Sequence, residues 1–320
     1  MENMIVSDCN KLINYYSQGA DWIKGNATDD KKAVSLIELA RLQKELSRLK
    51  EAALAKPTVA IFGPSQVGKS YLTSNLVKAP EANDLLITDP TTGEFISFIK
   101  QMNPYGGKES TGTITRFSIN DKTKKKEGYG TKLLSAKDLI CIIVNGYYLD
   151  IKKHTIHLSL DELNEQFSTL EKSISQHPSG ILSENDIYEI KRYLFKNLGL
   201  NNNVVINKLT EFGFWEKAAK IAPYLSIPGI VLLFQHLWGM QPFLSDLFER
   251  LLHGLLLLDF NNHVSIQKDA LTPNNATVLD VERVRELYLK EPSQLPQVGV
   301  TLESSKKASI DRRILAALTA

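Results

Sequence analysis

Gly63-Pro64-Ser65-Gln66-Val67-Gly68-Lys69-Ser70 fits the spacing G-x-x-x-x-G-K-[ST] at every fixed position. Each fixed residue type answers a need of polyphosphate binding. Glycines at 63 and 68 let the backbone curl, so that successive N–H groups point inward at an anion. A helix starting at Lys69 and Ser70 adds its first-turn N–H groups and the positive end of its dipole. Lys69 is expected to reach the β- and γ-phosphates, and the Ser70 hydroxyl to ligate Mg2+. Pro64, Ser65, Gln66, Val67 and Tyr71 complete the cradle, which makes 63–71 the predicted nucleotide-binding segment, with Mg2+ and GTP or ATP as its ligands. Ser65 is not a nucleophile on a strained elbow, because that turn needs Gly where Val67 stands.

A strand must lead into such a loop and a helix must leave it. Thr58-Val59-Ala60-Ile61-Phe62 is short, apolar and β-branched, as a buried parallel strand should be. Tyr71-Leu72-Thr73-Ser74-Asn75-Leu76-Val77 continues the helix. The predicted fold class is therefore α/β: an incomplete parallel P-loop NTPase sheet carrying an N-terminal helical hairpin and a large α-helical insertion. The hairpin's first helix lies near 7–23, with Ile5, Cys9, Leu12, Tyr15, Tyr16, Trp22 and Ile23 on one side. Gly25-Asn26 breaks it, Thr28 caps the second, and Leu36, Leu39, Leu42, Leu46 and Leu49 recur at helical spacing to about Leu54.

Downstream, Thr88-Asp89-Pro90-Thr91-Thr92-Gly93 reads as a turn before a short apolar helix through Phe95, Phe98 and Ile99. A Gly-rich loop over 103–112 opens into an alternating strand over 113–119, and lysines at 122–126 form a solvated tip. Leu139 to Val144 has a strand's composition, but Ser135 three residues before Asp138 suits a helix cap, so helix is predicted. Helical period then runs through 160–170, 184–197, 204–219, 230–238, 242–258 and 281–289. Strands are expected at 298–302 and 308–310, and an apolar helix over 311–320. The predicted divisions are 1–55 (hairpin), 56–150 (nucleotide core), 151–292 (helical insertion) and 293–320 (return to the core).

Composition narrows the partners. Across 320 residues the net charge is +2, so no basic field invites nucleic acid. Cys9 and Cys141 are the only cysteines, which suits free thiols in a reducing, cytoplasmic setting, and Met1-Glu2-Asn3-Met4 opens no secretory signal. The stretch 221–245 has no Asp, Glu, Lys or Arg, but Pro223, Pro228, Gly229, Gly239 and Pro242 interrupt it. Two buried helices meeting at Gly239-Met240-Gln241-Pro242 are expected instead of a membrane span. His154 and His157 have no convergent carboxylate or cysteine to complete a metal site. Phe212, Phe214 and Trp215 read as core.

With the phosphate loop upstream, Gly112-Thr113-Ile114-Thr115-Arg116 resembles the switch-I segment of dynamin-like GTPases. More closely, residues 62–71 together with 106–112 and Thr115-Arg116-Phe117 resemble the bacterial virulence factor family called SrfC-like. Softer similarity extends through 145–150, 269–271, 278–281 and 315–320. The resemblance implies Ser70 and Thr115 as two hydroxyl ligands of Mg2+, with Thr115 closing over the γ-phosphate as a switch. It implies catalytic roles for Gln66, Lys69 and Thr115. Dynamins carry Gln-Ser where this chain has Ser65-Gln66, so Gln66 is the candidate transition-state contact.

Other nucleotide elements are missing. No Asp-x-x-Gly occurs, and Asn207-Lys208-Leu209-Thr210 has Thr where a carboxylate would bind guanine. Leu255-Leu256-Leu257-Leu258-Asp259 imitates a metal-binding strand, but Phe243, Leu247, Leu251 and Leu255 give it a helical stripe. The chain is therefore expected to be the N-terminal part of a longer protein, with little or no turnover alone. Three functions follow: a nucleotide-dependent switch, with GTP favoured by the resemblance; an ATP-using enzyme on the same loop; or a helical interaction module without catalysis. A protein partner or self-association through the helical regions is expected in each.

Overall fold

Helical periodicity dominates the sequence, and helices dominate the computed structural model. It describes residues 4–54, 59–61, 68–102, 117, 128–151, 158–266, 297–301 and 307–311, with 314, 315 and 318. The chain divides into two units, Met1–Ala60 and Ile61–Ala320. The first is a hairpin of α1 (Met4–Asn26) and α2 (Asp29–Leu54). The amide of Gln43 on α2 donates to Ile13 O at 3.3 Å and to Ser17 Oγ at 2.8 Å on α1. Cys9 is the fully buried hydrophobic residue of this unit among the described residues.

The second unit packs α4 (Ala136–Gly146), α5 (Leu160–Lys172), α6 (Glu184–Lys196), α7 (Val204–Glu211), α8 (Phe214–Ile221), α9 (Ile227–Phe234) and α10 (Pro242–Leu257) into one apolar core. Local chemistry fixes several helix starts. Ser135 with Asp138, Ser159 with Glu162, and Ser183 with Asp186 each form a capping box at the head of α4, α5 and α6. The cap at Ser135 is why Leu139 to Val144 is helical despite its strand-like composition. Between α7 and α8, Gly213 takes a left-handed φ of 74°, so the predicted single helix over 204–219 becomes two. Trp215 and Trp238 lie fully inside. Their indole N–H groups donate to Thr210 Oγ1 at 3.2 Å and Ser245 Oγ at 2.9 Å, which satisfies the polar atom each brings into the core.

α10 ends at Leu257, and Asp259 follows in a turn with φ 52°, so the run of leucines is a helix end as expected. Its buried stripe is Leu244, Phe248, Leu251 and Leu255, one position out of phase with Phe243 and Leu247, which are exposed. The stretch 221–245 forms α9, a 3-10 turn over Gln235–Trp238, and the start of α10, with Gly239 at φ 66° between them.

The predicted fold class is wrong. The described strands form three two-stranded antiparallel sheets, and none of them is parallel. β1 (Leu86–Thr88) pairs with β2 (Phe95–Ser97), β3 (Tyr129–Lys132) with β4 (His263–Ile266), and β5 (Gln297–Thr301) with β6 (Lys307–Asp311). Residues 59–61 form no strand, and Val59 is 89% exposed. A parallel strand needs flanking strands to take its N–H and C=O groups, and none of the described strands offers 59–61 a parallel neighbour. Strand propensity there reports side-chain shape alone. Phe95 joins β2, while Phe98 and Ile99 fall in a π-helical turn (Phe98–Met102), where an apolar helix was expected. The pairing of β3 with β4, far apart in sequence, was not foreseen. The expected strand over 113–119 and helix over 281–289 lie outside the described residues, apart from Phe117.

Candidate phosphate-binding site

Only the C-terminal side of the motif is described: Gly68, Lys69, Ser70 and Tyr71. They lie at the start of α3 (Lys69–Val77). Gly68 is its N-cap, with φ 87° and ψ 13°. A Cβ at this position would meet nothing within 4 Å, so glycine is needed for the backbone angle and not for space. Gly68 O accepts from Leu72 N at 2.9 Å, the first bond of the helix, and no side chain caps this end. Thr73 Oγ1 and Asn75 Nδ2 donate back to Lys69 O at 2.8 Å and Tyr71 O at 2.9 Å. Ser74 is buried, whereas Tyr71, Leu72 and Leu76 are exposed. Gly63, Pro64, Ser65, Gln66, Val67 and Thr115 lie outside the described residues, as do His154 and His157. The structure therefore unites Gly68, Lys69, Ser70 and Tyr71, and leaves the Ser70–Thr115 pairing undescribed.

Next in sequence, β1 and β2 carry a polar centre that sequence reasoning read only as a turn. Asp89 is buried, and its Oδ1 accepts from Thr91 N at 2.7 Å and Thr92 N at 3.0 Å. Asp-Pro-Thr-Thr-Gly is the signal that could have shown it, since Asp bonds the backbone two and three residues on. Burial, and after it the Asp89 carboxylate, push the Tyr129 phenol up to about 12. Tyr129 therefore stays protonated at neutral pH. Its hydroxyl is buried beside that carboxylate, and Ser265 Oγ is buried with no hydrogen-bond partner among the described residues. Below this hairpin, Leu85, Phe98 and Ile99 form a small second apolar cluster with Ile87, Met102 and Phe117.

The remaining titratable groups serve the helical core. Lys137 on α4 contacts Glu189 on α6 at 2.7 Å. Burial works against the Lys137 ammonium, but the bond to Glu189 and the charges of Asp138, Glu189 and Asp186 outweigh it and raise its pKa. Burial pushes the Cys141 thiol up to about 12, so it is a poor nucleophile. Burial lowers the pKa of His236, with Glu162 opposing; its Nε2 meets Gln166 Oε1, and its Nδ1 has no hydrogen-bond partner among the described residues. Phe214 and Trp215 are buried, with ring centroids 5.0 Å apart at 89°, a core contact and not a stacking platform. Among the described residues no three His, Cys, Asp or Glu converge as a metal site, and no helix is long and apolar enough to cross a membrane.

A family model described as "Putative bacterial virulence factor" matches residues 20–320. No curated protein and no solved structure matches the chain. The virulence-factor side of the sequence resemblance is thereby supported. The dynamin-like side is not: nothing in the comparisons carries it, and the antiparallel hairpins are not a GTPase sheet.

Proposed function

From the premise that this chain belongs to that bacterial virulence factor family, we propose that 63–71 binds the phosphates of a nucleoside triphosphate with Mg2+, and that the protein acts as a nucleotide-dependent switch. The observation that carries this reading is Gly68 in the left-handed region at the head of a helix beginning Lys69-Ser70. That is the conformation in which the last glycine of such a loop turns N–H groups toward an anion. Lys69 would neutralise phosphate charge, and Ser70, with Thr115, would hold the metal. When bound there, the metal would supply charge neutralisation at the phosphates. Thr115 would report the γ-phosphate, and Gln66 would contact charge developing there. Either base is compatible with these residues, so GTP and ATP are both candidates.

Titration calorimetry of the full chain with Mg2+ and either nucleotide tests this. Binding is expected, weakened more than about 100-fold by Lys69→Ala, which removes a charge-assisted contact. Little turnover is expected, because no Asp-x-x-Gly is present. No heat with any common nucleoside triphosphate would overturn the reading.

A second reading is a helical interaction module without nucleotide chemistry. Its support is that 59–61, expected as the strand leading into the loop, form no strand, with Val59 and Ala60 exposed. Nucleotide binding abolished by Lys69→Ala excludes this alternative.

A further inference from the structure

α1 carries two seams of different character. The first, Cys9, Ile13, Tyr16, Ala20 and Ile23, is buried or half-buried, and it runs beside the Ile13 carbonyl that Gln43 of α2 reaches. The second is Ile5, Asp8, Leu12, Tyr15, Gly19 and Trp22, spaced three and four residues alternately. That spacing is the heptad pattern of a helix meeting another helix along a narrow stripe. Its large members stay accessible: Ile5 is 51% exposed, Leu12 40%, Tyr15 62% and Trp22 65%.

The order of the second seam is symmetric about a point midway between Leu12 and Tyr15. Ile5 and Trp22 are equidistant from it, as are Asp8 and Gly19, and Leu12 and Tyr15. We propose that α1 pairs antiparallel with α1 of a second copy about a twofold axis at that point. Each large ring then meets an aliphatic side chain, and Asp8 faces Gly19, which brings no side chain of its own and lies beside Leu39 of α2. An isologous contact requires this kind of self-complementarity, in which i meets j and j meets i.

Charge permits the pairing. Asp8, within the seam, is paired with Lys11 at 3.4 Å, and Asp21, at its border, with Lys24 at 3.1 Å, so neither acid brings an uncompensated charge to the contact. Area favours it too. The accessible parts of two copies each of Ile5, Leu12, Tyr15 and Trp22, 40–65% of each residue, bring the contact toward the roughly 1,000 Å2 of a specific interface. The need for it is visible in the hairpin, where Cys9 is the fully buried hydrophobic residue among those described. Two hairpins joined through α1 form a four-helix arrangement that can enclose a core. The inference is independent of the phosphate site.

Sedimentation velocity of the full chain is expected to give twice the 35.9 kDa chain mass. Leu12→Asp with Tyr15→Asp should raise the dimer dissociation constant more than about 100-fold, because each change is felt twice across the axis. Trp215 and Trp238 are fully buried, so a red shift of tryptophan emission on dilution reports Trp22. Should the double variant lose helix, disulfide trapping still decides. Asp8→Cys with Gly19→Cys in one chain should give covalent dimers on oxidation. Asp8→Cys alone should not, since its mate lies about 16 Å along the axis. A monomer at all concentrations, a dimer indifferent to Leu12→Asp with Tyr15→Asp, or equal trapping by Asp8→Cys alone would overturn the proposal.

Discussion

Gly68 and His236 show how a single residue is constrained by its surroundings in opposite ways. Gly68 sits in open space but at a backbone angle that L side chains resist. Gly68→Ala should cost about 1–2 kcal/mol in the local turn and weaken Mg2+-nucleotide binding, measured by calorimetry against native protein. His236 has an ordinary backbone and a buried ring. Its lowered pKa means that the unfolded chain binds the proton more readily than the fold does. The stability it contributes is present above the unfolded value of about 6.5, and is lost as pH falls toward the lowered folded value. Chemical denaturation should therefore show stability declining as pH falls below about 6.5, a slope that His236→Leu removes. An unchanged slope in that variant would assign the decline to other groups.

At the scale of elements, caps and close approaches decide more than propensity. The segment from Leu139 to Val144 is a helix because Ser135 and Asp138 satisfy its first N–H groups. Ser135→Ala should cost about 1 kcal/mol in urea unfolding, with no change in the native far-UV spectrum. The β3–β4 ladder depends on Gly128, whose φ is 152°. A Cβ there would fall 2.7 Å from Ile266 O and 2.8 Å from Ser265 Oγ. Gly128→Ala should cost about 2–3 kcal/mol by the same assay, because backbone must move to admit the methyl group. A cost below about 0.5 kcal/mol would mean the ladder yields easily.

Across the whole molecule, the hairpin and the larger unit rest on different physics. The larger one has an interior of fully buried rings, among them Trp215, Trp238, Phe214, Phe234 and Phe248. Phe248 packs on Trp238 at 5.4 Å, and Phe248→Ala should cost about 3–5 kcal/mol of the larger unit's stability. Near-UV dichroism of the tryptophans should follow that loss. Among the described residues the hairpin has no comparable interior, so its order should depend on concentration if it is completed by another copy.

The sequence by itself determined the helices, because their information is local: apolar period, a serine followed by an acid three residues later, a glycine at a break. α4, α5, α6 and α10 were legible within a few residues for that reason, as was the start of α3 at Lys69 after Gly68. Only the tertiary structure decided the sheets. Val59, Ala60 and Ile61 look like a parallel strand, but none of the described strands pairs with them, while Tyr129–Lys132 finds His263–Ile266 across more than a hundred residues. Strand pairing is a bond between distant segments, and neither segment's composition states who its partner is. The polar centre at Asp89 and Tyr129 was hidden for the same reason, since burial and a carboxylate brought from another part of the chain make that phenol unusual.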